Sequence, residues 1–268
     1  MAATNEAQKA HAHFVLVHGA GHGAWCWYKI KPKLESSGHK VTVLNLAGSG
    51  INMKAIHDVH SLAEYSEPLL ELIASLGPKE KVILVGHSLG GMNLSLAMER
   101  FPQKISAAVF LTAFLPDTTH QPSYIMDEFM QKIPADSWLD TQFEQFGSAT
   151  KEPLTSIFFG PKYLQANLYQ LSPIEDLELA KSLVRKSSFF REEVAKMKNF
   201  SNEGYGSVTR VYVVCDKDLI ITEEFQRWMI ANSGVKNVVE IKGADHMPMF
   251  SKPQELSNAF LEIAQKYA

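Results

Sequence analysis

Six short runs of β-branched and aliphatic residues recur along the chain, each bounded by turn-forming residues: HFVLVHG, HKVTVLNL, KVILVGHS, ISAAVFLTAF, VTRVYVVC and NVVEIKG. Their apolarity is nearly continuous rather than alternating, the pattern of strands buried on both faces of a parallel sheet. Between them lie stretches with apolar residues at three- and four-residue spacing. SLAEYSEPLLELIASLG, closed by a glycine, and LGGMNLSLAMERFP, EEFQRWMIANSG and PQELSNAFLEIAQKYA each predict a helix. Strands and helices in alternation predict an α/β fold on a mostly parallel, doubly wound sheet.

The alternation stops between Pro116 and Lys198. PSYIMDEFMQKI, LTSIFFGPKYLQANLYQL and PIEDLELAKSLVRKSSFF read as aromatic-rich helices, with no run that predicts a buried strand. Residues 116–198 are expected to form a helical cap inserted between two strands. The core would then comprise 13–115 and 199–268, with 1–12 a flexible N-terminus.

Composition narrows the function classes. The chain has 268 residues, 46% hydrophobic and 21% charged, which is ample for one large core. A net charge of −3 without a long basic run leaves no electrostatic footprint for nucleic acid or an anionic membrane. Cys26 and Cys215, far apart, make neither a disulfide framework nor a zinc site. The N-terminal stretch lacks the apolar core of a signal peptide, and AAVFLTAFL is too short to span a bilayer. A cytoplasmic protein is expected. No nucleic acid, no membrane and no cofactor is expected as a partner. A homodimer is the one protein assembly left open.

VILVGHSLGG carries the chemistry. A buried-strand run ends in Gly86-His87-Ser88-Leu89-Gly90 and passes straight into an amphipathic helix, the context in which G-x-S-x-G forms a nucleophile elbow. Side chains at Gly86 and Gly90 would collide with the neighbouring strand and helix, and the turn lifts the Ser88 hydroxyl above the sheet edge. His87 adjoins the serine, but neighbouring side chains at such a turn diverge, so a packing role is expected. VLVHGAGHGAW also leads from strand to helix, and Gly19-Ala20-Gly21 matches the glycine-rich loop that supplies a second oxyanion donor. The expected donors are the backbone N–H groups of Ala20 and Leu89. The loop lacks G-x-G-x-x-G and G-K-[ST], so nucleotide-binding readings fail. His18 and His22, with His11 and His13 nearby, have no carboxylate or cysteine at useful spacing to complete a ligand set, and no metal is expected.

A base and its orienter should follow the nucleophile in chain order. Cys215 is followed by DKDLII and NVVEIKG by ADHMPM, and parallel strands deliver both loops to the sheet edge that carries Ser88. His246 is the expected base. Asp245 is its immediate neighbour and points away from it, so a turn-forming or capping role is assigned. Asp216 and Asp218 are both candidate orienters, and spacing gives Asp218 only a modest advantage.

Taken together, HFVLVHGAGHGAWCWYKIKPKLESSGHKV, VILVGHSLGGMNLSLAMERFPQKI, YGSVTRVYVVCDKD and EIKGADHMPM resemble the plant methylesterase and hydroxynitrile lyase family of α/β-hydrolases. The resemblance spans all but the first dozen residues. It implies the α/β-hydrolase fold and a triad of Ser88, Asp218 and His246, with Gly19, Trp138 and Met247 at the substrate pocket. The family carries cysteine at Gly21, and glycine there is expected to loosen the loop. In the family's lyases a threonine or asparagine replaces Gly19, and one branch has lysine at Met247. Gly19 offers nothing to hold a cyanohydrin hydroxyl. The resemblance therefore implies a methylesterase acting on a small, largely apolar plant metabolite. Candidates are a hormone ester such as methyl salicylate or methyl jasmonate, or an indole alkaloid ester whose product acid could then decarboxylate. The alternatives are a hydroxynitrile lyase or a hormone receptor on a hydrolase scaffold. Eleven cap aromatics, Tyr124, Phe129, Trp138, Phe143, Phe146 and Phe158 together with Phe159, Tyr163, Tyr169, Phe189 and Phe190, are expected to divide between cap core and pocket wall.

Overall fold

The computed structural model describes residues 11–147 and 153–268, so most of the expected flexible N-terminus lies outside the described residues. All six expected strands form. They are β1 (His13–Val17), β2 (Lys40–Val43), β3 (Val82–Ser88), β4 (Ile105–Ala113), β8 (Arg210–Cys215) and β9 (Asn237–Ile241). They pair in parallel in the order β2-β1-β3-β4-β8-β9. Full burial on both faces holds for the inner strands, whereas the edge strands β2 and β9 are only partly covered. The chain winds outward from β1 in both directions. Its C-terminal edge there opens a crevice, the usual location of ligand sites in open α/β sheets.

The helices pack on the two faces. SLAEYSEPLLELIASLG forms two helices, Leu62–Tyr65 and Glu67–Ser75, instead of one. Pro68 sits at the start of the second, lacks an N–H and would crowd the carbonyl four residues earlier, so the break falls there. The helix Gly90–Arg100 follows β3 directly and is buried on nearly every side. Packing that close requires Gly91, where a Cβ would lie 2.1 Å from the Phe114 carbonyl oxygen.

The insertion between β4 and β8 differs from a purely helical cap. Helices Tyr124–Lys132 and Ile174–Leu183 are present. A three-stranded antiparallel sheet also forms from β5 (Gln142–Phe146), β6 (Leu154–Phe158) and β7 (Ser187–Ser188). The LTSIFF part of an expected helix is thus strand, in keeping with its β-branched and aromatic side chains. Only the following segment, through Leu168, is helical. Among the described residues no helix is long and apolar enough to cross a membrane.

Gly91→Ala should destabilise the protein, although alanine is the better helix former, because the obstacle is backbone. Overpacking of this kind costs about 1–3 kcal/mol, readable as a lowered urea midpoint at unchanged m-value.

Candidate active site

Ser88 ends β3 with φ 55°, a left-handed conformation uncommon for any residue but glycine. The glycines around it make that turn feasible. A Cβ on Gly86 would lie 2.7 Å from Gly90 O, one on Gly90 3.0 Å from Val17 O, and one on Gly19 2.8 Å from Ser88 Cβ. Pairing between β3 and β4 also shifts register at Ser88, so that Ser88 faces Ala113 and skips Thr112. Thr112 itself adopts φ 35°, an outlier for a β-branched residue, and its hydroxyl donates to Asp218 Oδ2 at 2.5 Å.

Asp218, not Asp216, meets the histidine. His246 Nδ1 lies 2.7 Å from Asp218 Oδ2, while Asp218 Oδ1 accepts the N–H groups of Ile220 (2.7 Å) and Ile221 (3.0 Å). With its four contacts satisfied, the buried carboxylate is locked in one orientation. Asp216 braces the loops instead, accepting Gly243 N–H at 2.6 Å. Asp245 takes the expected turn-forming role and adds a tether to the cap. It accepts Met247 N–H and Ser251 Oγ from its own loop, and Leu171 N–H and Ser172 Oγ from the cap. Burial raises its pKa, opposed by those hydroxyl and amide donors.

His87 packs against His246 with ring centroids 4.8 Å apart and donates from Nε2 to the His246 carbonyl at 2.7 Å. The expected packing role is therefore specific: His87 holds the backbone of His246. Ala20 belongs to the loop after β1. His18 Nδ1 lies 2.8 Å from the Gly19 carbonyl, which can only accept, so Nδ1 carries the proton and Nε2 accepts Leu46 N–H at 3.1 Å. In a trans peptide the N–H points opposite to the carbonyl. Pinning Gly19 C=O to His18 thus fixes the direction of the Ala20 N–H. Leu89 is the N-cap of the helix after Ser88.

These loops border a cavity lined on the core side by Gly19, Ala20, His22, His87, Ser88 and His246. Phe129, Trp138, Phe159, Tyr163 and Phe189 supply the cap wall, five of the eleven cap aromatics. Trp138 stacks on Tyr163 with centroids 5.5 Å apart. No Lys, Arg, Asp or Glu lines the cavity. Met247 does not line it either. It is fully buried, and its main chain turns into the short helix Pro248–Ser251. Gly21 also departs from expectation. It adopts φ 72°, which suits glycine, and its loop is clamped rather than loosened, since its carbonyl accepts Arg185 N–H at 2.9 Å. Among the described residues no group of three or more His, Cys, Asp or Glu is arranged to hold a metal, and Cys26 and Cys215 are buried and unpaired.

The model of the alpha/beta hydrolase fold family matches residues 12–253. The chain belongs to the α/β-hydrolase family. Within it, salicylic acid-binding protein 2 of Nicotiana tabacum is 59% identical over 255 residues, covering 95% of this chain and 98% of the relative. Methylesterase 1 of Arabidopsis thaliana is 56% identical over 261 residues, covering 97% and 98%. The crystal structure of polyneuridine aldehyde esterase superposes with a TM-score of 0.92 at 48% identity, over 95% of this chain and 99% of that one. This α/β-hydrolase thus lies among plant methylesterases, as the resemblance implied.

Thr112, the Asp245 tether and the His87 brace were not legible in the sequence. Each depends on a register shift or an inter-loop contact without a local signature.

Burial holds His18 and His22 neutral, lowering their pKa values to about 4 and about 3, and burial followed by the nearby His246 lowers that of His87 far below the usual range. In the unfolded chain all three take up protons as pH falls through about 6.5. Their stabilising effect is complete above that pH and is lost below it, each by about 1.4 kcal/mol per pH unit. Urea unfolding at pH 7, 6 and 5 should show a steepening loss of stability, and a flat profile would contradict neutral burial.

Proposed function

We propose that this chain is a serine methylesterase in which Ser88 is the nucleophile, His246 the general base and Asp218 its orienting acid. The observation that carries the reading is the His246–Asp218 contact of 2.7 Å, at a cavity that a backbone-strained Ser88 also lines. Asp218 favours the tautomer with a proton on Nδ1, leaving Nε2 free to accept the Ser88 proton. The serine oxygen attacks the ester carbonyl, and the oxyanion is held by the N–H groups of Ala20 and Leu89. His246 returns its proton to the departing alkoxide, and methanol leaves. A water then gives its proton to His246 and attacks the acyl-enzyme, and as the carbonyl–Oγ bond breaks His246 passes that proton to Ser88 Oγ, releasing the acid and the free enzyme.

The wall chemistry supports the substrate class. An aromatic-rich cavity lined by no Lys, Arg, Asp or Glu suits a compact, apolar acyl group. A relative whose name records salicylic acid binding points the same way, so methyl salicylate is the preferred substrate over a bulky alkaloid ester. Lyase chemistry is disfavoured at Gly19, because a Cβ there would lie 2.8 Å from Ser88 Cβ and no side chain is present to hold a cyanohydrin. We assign a cytoplasmic location on the two unpaired, buried cysteines.

Ser88→Ala should lower methyl salicylate hydrolysis by about 10⁴-fold or more, as loss of a serine nucleophile does elsewhere. Turnover is followed by methanol release across salicylate, jasmonate, indole-acetate and alkaloid methyl esters. Undiminished turnover by the variant would remove Ser88 from the mechanism.

A further inference from the structure

His22 is buried, lines the cavity and has no role in the proton transfers above. Its Nδ1 lies 2.9 Å from the Ala20 carbonyl and its Nε2 2.7 Å from the hydroxyl of Tyr169, a cap residue. A carbonyl can only accept, so Nδ1 carries the imidazole proton. Nε2 is then a bare acceptor, and Tyr169 O–H donates to it. One neutral tautomer satisfies both contacts, in a chain running from the cap through His22 to Ala20. The rings are set by stacking. His22 lies between Trp25 at 5.2 Å and Tyr169 at 6.0 Å, and Tyr169 stacks on Phe250 at 5.6 Å between centroids.

The next peptide is held from the cap as well. Arg185 N–H donates to the Gly21 carbonyl, and the Phe159 ring lies 3.2 Å from where a Gly21 Cβ would stand. The peptide before Ala20 is fixed from within the core by His18, while the carbonyl of Ala20 is held by His22, whose other ring nitrogen takes its hydrogen bond from the cap. Held on both sides, Ala20 keeps its position as well as the direction of its N–H.

We propose that Tyr169, acting through His22, is a positioning residue for the oxyanion hole, so that docking of the cap sets the geometry of the Ala20 donor. The proposal rests on Ala20 being an oxyanion donor in ester hydrolysis. It makes the cap part of the catalytic apparatus as well as a lid over the substrate. The device acts when charge develops on the carbonyl oxygen and leaves ground-state binding unaffected.

The test is a double-mutant cycle with Tyr169→Phe and His22→Phe, which keep the stacked rings and remove the hydrogen bonds. Each single variant should lose about tenfold in kcat, less than the two to three orders of magnitude seen when a donor is deleted outright. In Tyr169→Phe, which stays off the cavity wall, KM and affinity for the product acid should change little, while affinity for a trifluoromethyl ketone that forms a tetrahedral adduct on Ser88 falls by the same factor as kcat. The double variant should lose no more than either single one. If one variant folds poorly by thermal melting, the other carries the comparison. Unchanged kcat and ketone affinity in a folded variant, or fully additive losses, would overturn the relay while leaving the esterase reading intact. Wild-type protein that releases no methanol from any ester, or Ser88→Ala that releases it normally, would overturn both.

Discussion

A serine held at φ 55° is the constraint on which the rest of the site depends. A non-glycine residue in that region costs on the order of 1–3 kcal/mol and persists only where its surroundings over-determine it. Three close approaches do so here. Gly86 admits the start of the following helix, Gly90 admits the end of β1, and Gly19 leaves room beside the serine itself. The turn that results ends β3 and starts the helix within one residue, so the hydroxyl stands at the sheet edge next to the helix N-terminus. The same displacement pushes β4 out of register and twists Thr112 to positive φ, aiming its hydroxyl at Asp218. Ser88 and Asp218 are thus linked through the sheet.

Neutral histidines form the second layer of this arrangement. His18, His22 and His87 each hold a backbone carbonyl, those of Gly19, Ala20 and His246 respectively. A neutral imidazole suits the task because it offers one donor and one acceptor in a flat, packable ring. Burial keeps all three uncharged, so they place no positive charge beside His246. These three histidines are a set of backbone clamps.

Legibility in the sequence follows the range of the interactions. The six core strands and the elbow were readable because their signals are local: continuous apolar runs, and glycines at fixed spacing around one serine. The choice between Asp216 and Asp218 was not readable from spacing, since it depends on a hydroxyl delivered by a distorted strand about a hundred residues away in sequence. The family resemblance supplied what spacing could not. The cap sheet was missed for a related reason. QFEQF exposes four of its five positions and so carries no buried-strand signature, and it becomes a strand only by pairing with LTSIF. Met247 shows the limit of carrying a pocket residue over by resemblance, because its position next to His246 does not put it on the cavity wall.

The seam between cap and core differs in chemistry from the pocket it encloses. Arg185 donates to the carbonyls of Gly50, Asn52 and Lys54, Asp176 accepts Tyr28 and Lys29, and Asp245 accepts Leu171 and Ser172. Hydrogen bonds of this kind are directional and fix where the cap sits, and leaving one buried partner unpaired is costly. Apolar walls have no such demand, and exchanges that conserve volume are tolerated best among them. Wall residues such as Trp138, Phe159 and Phe189 can therefore change the acyl group accepted without altering how the cap docks. Since the loop that carries Ala20 is itself clamped by docked cap residues, the polar seam fixes that loop while the aromatic wall is left free to vary.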